Sequence, residues 1–73
     1  MPTKLRQMRN ELGVSQEAIA RRTTLSLSGY RNAERGRRIT YGTGMEILTA
    51  INAIRQEREL APVTLEDLEL KLY

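Results

Sequence analysis

The apolar positions of the chain recur at helical spacing throughout, with no strand-like alternation of any length. Leu5, Met8 and Leu12 form one stripe behind Thr3, a residue suited to capping a helix start, and Gly13 supplies a left-handed stop. Ser15 caps a short second helix with Ala18 and Ile19 inward, which Thr23-Thr24-Leu25 soon interrupts. Ser26 caps a third helix that runs to about Arg35 and stops at Gly36. The stretch RRITYG, residues 37–42, reads as a loop. Thr43-Gly44-Met45-Glu46 has capping-box spacing and predicts the start of a fourth helix carrying Met45, Ile47, Leu48, Ile51 and Ile54, extended through RQERE into water. Thr64 and Asp67 repeat the cap spacing and predict a short fifth helix with Leu65, Leu68 and Leu72. The expected fold is all-α, with five helices in one domain over residues 1–73.

Composition narrows the chemistry. Seventy-three residues suffice for one small core and are too few for two. Hydrophobic residues at 40% and charged residues at 29% are the balance of a folded chain. Phe and Trp are absent, so aliphatic residues must build the core, with Tyr30, Tyr41 and Tyr73 the only aromatics. The absence of cysteine excludes disulfides and thiolate metal sites, and the absence of histidine removes the common proton shuttle. No metal-ligand cluster, phosphate loop or nucleophile–base arrangement is present, so neither catalysis nor a cofactor is expected. No apolar run approaches the roughly 20 residues of a membrane span, and the N-terminus lacks a signal-peptide core. The expected location is the cytoplasm.

Charge then points to a partner. The net charge of +3 conceals a basic half and an acidic half: residues 1–42 balance at +6 and residues 43–73 at −3. Four arginines in SGYRNAERGRR (Arg31, Arg35, Arg37 and Arg38) surround one acid, Glu34. Such a basic half suggests a polyanion, nucleic acid first.

The pair of short helices in SQEAIARRTTLSLSGYRNAERG has the dimensions of a helix-turn-helix, whose second helix offers its N-terminal residues to base edges in the major groove. Over LRQMR, LGVSQEAIA, the LS turn and cap, Tyr30 with Ala33, and ERG, the chain resembles the lambda-repressor-like helix-turn-helix regulators, the Cro and phage-repressor group often called XRE-like. The resemblance covers about 50 of the 73 residues, a core over 5–54 with the helix-turn-helix over 15–36 and a C-terminal helix and tail over 64–73. It implies a compact lambda-repressor-like domain in which helices 2 and 3 form the motif.

On the third helix Leu27, Ser28, Arg31, Asn32 and Arg35 fall on one side, while Tyr30, Ala33 and the Glu34 stem point inward. Asn32 can pair bidentately with adenine, and Leu27, Ser28 and Arg31 complete a candidate base-reading set. Leu27 departs from the family, which often places a polar residue there. The resemblance implies that Gln16 meets phosphate at the start of the second helix and that Arg37 and Arg38 do so after the third, with Arg35 on the same track. It also implies a structural, partly buried ion pair between Arg9 and Glu34. Gly29 reads either as a bare surface for close backbone approach or as room for Tyr30. Thr24 stands where the family's turn usually has glycine, Tyr30 with Ala33 replaces two aliphatic residues, and the chain between Ile54 and Thr64 is longer than in a minimal member.

These readings lead to a sequence-specific regulator of double-stranded DNA, a repressor acting as a homodimer on a palindromic operator in a prokaryotic or phage nucleoid. Two other readings stand beside it. One is an antitoxin that uses the same DNA-binding face and holds a protein partner through its acidic C-terminal part. The other is an interaction module that kept the fold and lost DNA. The fifth helix and LELKLY serve either as a dimer interface or as core of the same monomer.

Overall fold

The computed structural model describes residues 2–73. Four α-helices follow in order: α1 (Lys4–Leu12), α2 (Gln16–Ala20), α3 (Leu27–Glu34) and α4 (Tyr41–Glu57). A single 3-10 turn at Glu66–Leu68 comes after them, and the described residues form no strand, only an isolated parallel bridge between Ile39 and Leu72.

Side-chain caps start each of the four helices. Thr3, Ser15 and Ser26 are extended residues whose hydroxyls accept from Arg6, Ala18 and Gly29 N–H respectively, satisfying donors that the first turn leaves free. Thr3 Oγ1 also donates to the Glu34 carbonyl at 2.8 Å, so one residue opens α1 and ties down the end of α3. Gly13, at φ 70°, closes α1 by donating its N–H to the Arg9 and Asn10 carbonyls. Gly36, at φ 80°, donates to the Ala33 carbonyl just beyond α3.

The start of α4 differs from the expected one. Thr40, not Thr43, is the cap: it is extended at φ −74° and ψ 157°, and its hydroxyl accepts from Thr43 N–H. Glu46, the other half of the anticipated capping box, is drawn away to Thr24 in the break between α2 and α3. The helix also ends sooner. Arg55, Gln56 and Glu57 continue α4 and residues 56–59 are exposed, but Arg58 is the C-cap and Glu59 turns left-handed at φ 58°, so the helix stops within RQERE and the chain folds back beyond it. The Arg58 guanidinium donates to the Leu12 carbonyl, and Arg55 Nε donates to the Ala61 carbonyl at 2.7 Å. Asn52 then holds the returning chain, its amide donating to the Val63 carbonyl and accepting from Val63 N–H, both at 2.9 Å.

Beyond Pro62 the expected fifth helix amounts to the one 3-10 turn. Thr64 and Asp67 do form a reciprocal box, each accepting from the other's backbone N–H. Glu69 then adopts φ 49° and ends the turn. From there the chain is extended: Leu70 and Leu72 pack against the core while Glu69, Lys71 and Tyr73 face water. This tail crosses Gly44 of α4, where a Cβ would stand 3.2 Å from Leu72 and 3.5 Å from Leu70. Ile39 N–H donates to the Lys71 carbonyl and Tyr73 N–H to the Ile39 carbonyl.

The core joins all these parts. Leu5 of α1, Ile19 of α2, Tyr30 of α3, Ile47 and Ile51 of α4 and Leu68 of the turn are the largest fully buried side chains. Tyr30 supplies aromatic bulk to this core, and small Ala33, one turn on, is buried with it. Among the described residues no helix is long and apolar enough to cross a membrane.

Candidate nucleic-acid interface

The face of α3 turned away from this core is set by residues a turn apart. Ser28, Arg31 and Arg35 are exposed and Asn32 is half-buried on the same side. Leu27 stands at the edge of that face, half-buried and packed against the core. Around Gly29 space is open: apart from adjacent residues, an added Cβ would meet only Ser26 Oγ, at an ordinary 3.4 Å.

One flank of the face is a cleft lined by Arg6, Arg9, Gln16, Arg31, Glu34 and Arg35. Its base is the ion pair between α1 and α3. Arg9 Nε donates to Glu34 Oε2 at 2.6 Å and an Nη2 proton to Oε1 at 3.2 Å, while Nη1 reaches the Val14 carbonyl at 3.0 Å. The two side chains keep only 14% and 3% of their surface exposed. Burial pushes the Glu34 carboxyl up, but hydrogen bonds from Arg9 and Gln16 outweigh that push and hold it below its usual value. The hydrogen bond to Glu34 raises Arg9 in turn. The Tyr30 hydroxyl lies beside this pair yet completes no hydrogen bond of normal geometry, and burial first, then the Glu34 charge, raises it. Every polar atom at the cleft floor except that hydroxyl is therefore committed.

Gln16 joins the floor to the rim. Its amide donates to Glu34 Oε1 at 3.2 Å and accepts from Arg31 Nε at 3.0 Å. Arg6, exposed on α1 one turn before Arg9, brings a further guanidinium to the rim. Arg6 escaped the sequence reading because it lies outside the two-helix segment, although its spacing from Arg9 places both on one side of α1.

The other flank holds Asn32, Arg37, Arg38, Ile39, Thr40, Thr43 and Tyr73 around a shallow hollow. Arg37 and Arg38 are exposed, and Arg38 also donates to the Leu72 carbonyl at 3.3 Å. Arg31 and Asn32 thus edge opposite flanks, with Ser28 between them. The break between α2 and α3 is fixed from α4, by Glu46 on Thr24 and by the bidentate pair of Arg22 with Glu57 at 2.8 and 3.0 Å. No group of acids able to hold a metal ion occurs among the described residues.

The all-helical fold thus exposes one helix between two arginine-bearing flanks. A family model described as helix-turn-helix matches residues 5–53, about two thirds of the chain, and the chain belongs to that family, the Cro/CI-type, XRE-like group of DNA-binding transcription regulators. No curated protein and no solved structure matches the chain significantly.

Proposed function

We propose that the protein is a dimeric transcriptional repressor that pairs α2 with α3 as its helix-turn-helix and inserts α3 into the major groove of a palindromic operator. One observation carries the reading: Glu34, the only acid of α3, is buried and neutralised by Arg9, so the charge that α3 presents outward is cationic. That arrangement suits a helix entering a groove between phosphates.

On this reading Ser28, Arg31 and Asn32 address base edges, Asn32 being suited to adenine, at about 1–3 kcal/mol of discrimination for each good bidentate contact. Leu27, through its exposed part, fits a thymine methyl. Arg35, Arg37 and Arg38 follow the phosphates, with Gln16 at the start of α2 and Arg6 on α1 bordering the same track. One such helix spans few base pairs, so two copies on half-sites about 34 Å apart supply the missing specificity. The tail leucines are occupied within the monomer, which directs the search for the dimer contact to other surfaces.

The test is selection of bound duplexes from a random pool at two salt concentrations. An inverted repeat with half-sites one helical turn apart is expected. With about six cations engaged, log affinity should fall against log salt with a slope of roughly −5. An enriched but unsymmetrical single site removes the dimer. No enrichment with a flat salt response removes DNA recognition and leaves the interaction-module reading.

A further inference from the structure

Four side chains run in a polar line from the core of the domain to the face of α3. Arg9 grips Glu34, Glu34 accepts from the Gln16 amide, and the Gln16 carbonyl oxygen accepts from Arg31 Nε. The order is dictated by chemistry. A carboxylate only accepts and a guanidinium only donates, whereas an amide does both and bridges Glu34 to Arg31 with its orientation fixed. A neutral hydrocarbon at position 16 would break the line, and a carboxylate there would oppose Glu34.

The consequence falls on Arg31. Its Nε is engaged, and its two terminal amino groups make no hydrogen bond to any described residue while Arg31 stays exposed. An arginine held by its stem with the terminal fork free matches two acceptors side by side, the N7 and O6 of guanine in the major groove. Holding this long side chain before binding also reduces the freedom lost when it docks.

We infer that Gln16 is a positioning residue: it holds Arg31 ready to read a guanine, so that one base preference in each half-site depends on a residue of α2 that need not touch the base. The inference rests on α3 being the reading helix. It differs from a phosphate-contacting role for Gln16, which would strengthen binding to every sequence alike.

The experiment measures affinity for the selected duplex and for each single base-pair change in it, using wild type, Arg31→Ala, Gln16→Ala and the volume-keeping Gln16→Met. Wild type is expected to prefer G·C at one position per half-site by about tenfold. Arg31→Ala removes that preference. Each Gln16 variant lowers it several-fold, leaves the other positions unchanged, and adds nothing in the Arg31→Ala background. In the free protein, exchange of the Arg31 Nε proton, followed by NMR, should be slow and become fast in Gln16→Met. A uniform loss of affinity across all sequences, or unchanged Nε exchange in Gln16→Met, overturns the inference and leaves the α3 reading intact. A wild-type protein indifferent to every base-pair change sinks both.

Discussion

Thr24 donates both its backbone N–H and its hydroxyl to the Glu46 carboxylate, each at 2.8 Å, across 22 residues of sequence. Thr24 keeps a negative φ, so this break needs no glycine at that position, and the acid of α4 ties it down by accepting from its backbone and side chain. The backbone N–H of Thr24, then its hydroxyl, lowers the Glu46 pKa.

Glu46→Ala should therefore loosen the break specifically. The expected result is faster hydrogen exchange at the Thr24 amide, a melting temperature lower by a few degrees, and weaker DNA binding than that small change in folding accounts for. Because the folded-state pKa is lowered, the contribution of Glu46 is present above the ordinary carboxylate range and is lost as pH falls through the lowered value. The protection factor of the Thr24 amide in wild type, its exchange rate corrected for the intrinsic pH dependence, should fall over that same window.

Arg9→Ala strands a buried carboxylate. The cost should be about 3 kcal/mol, the lower end of the range for breaking a buried pair because Arg9 keeps an exposed edge. For a domain of this size that corresponds to roughly 12–24 °C in melting temperature. Glu34→Gln removes the charge and keeps the shape. Glu34 is also held below its usual pKa, so its stabilisation is full above the ordinary carboxylate value of about 4.3 and fades as acid titrates the folded form. Thermal melts from pH 7 to pH 3 should show a steeper acid loss for wild type than for Glu34→Gln.

Gly29→Ala separates folding from binding. Nothing near the added methyl resists it, so the helix should gain about 1 kcal/mol, or roughly 4–8 °C. If the bare backbone at Gly29 lets α3 sit close to DNA, the same variant binds the selected duplex more weakly. A more stable protein of unchanged affinity would show that Gly29 has no part in recognition.

Gly44→Leu tests the seat of the tail. The added side chain would occupy the space of Leu65, Leu70 and Leu72, at about 1–3 kcal/mol for overpacking. Hydrogen exchange at Ile39 and Tyr73, whose amides join the loop to the tail, should rise together. Gly44→Ala is milder, since Leu72 Cδ2 at 3.2 Å is the end of a flexible side chain.

Much of this was legible because the governing rules are local. Thr3, Ser15 and Ser26 each precede a helical stripe and each caps it, and Gly13 and Gly36 stand where α1 and α3 stop. The misreadings came from contacts remote in sequence. Thr43 and Glu46 have capping-box spacing, yet Thr40 was free to cap and Thr24 claimed the glutamate. In LELKLY the leucines fall at every second position, an extended-chain spacing, while Leu65, Leu68 and Leu72 also fit a helical one, and only the crossing over Gly44 decides between them. At the candidate site the exposed side of α3 could be read from its period, whereas the half-burial of Leu27, the place of Arg6 and the bridge through Gln16 depend on how the helices meet.

Because Leu72 is stitched beside Ile39, Tyr73 stands in the hollow with Asn32 and Arg37, 85% exposed. A small dye carried on a cysteine put in place of Tyr73 would stand at the rim of that hollow, and under the proposed reading its emission would change when DNA is captured. Bulk added at this position would shadow the hollow, and an affinity measured with it in place would understate that of the unmodified protein.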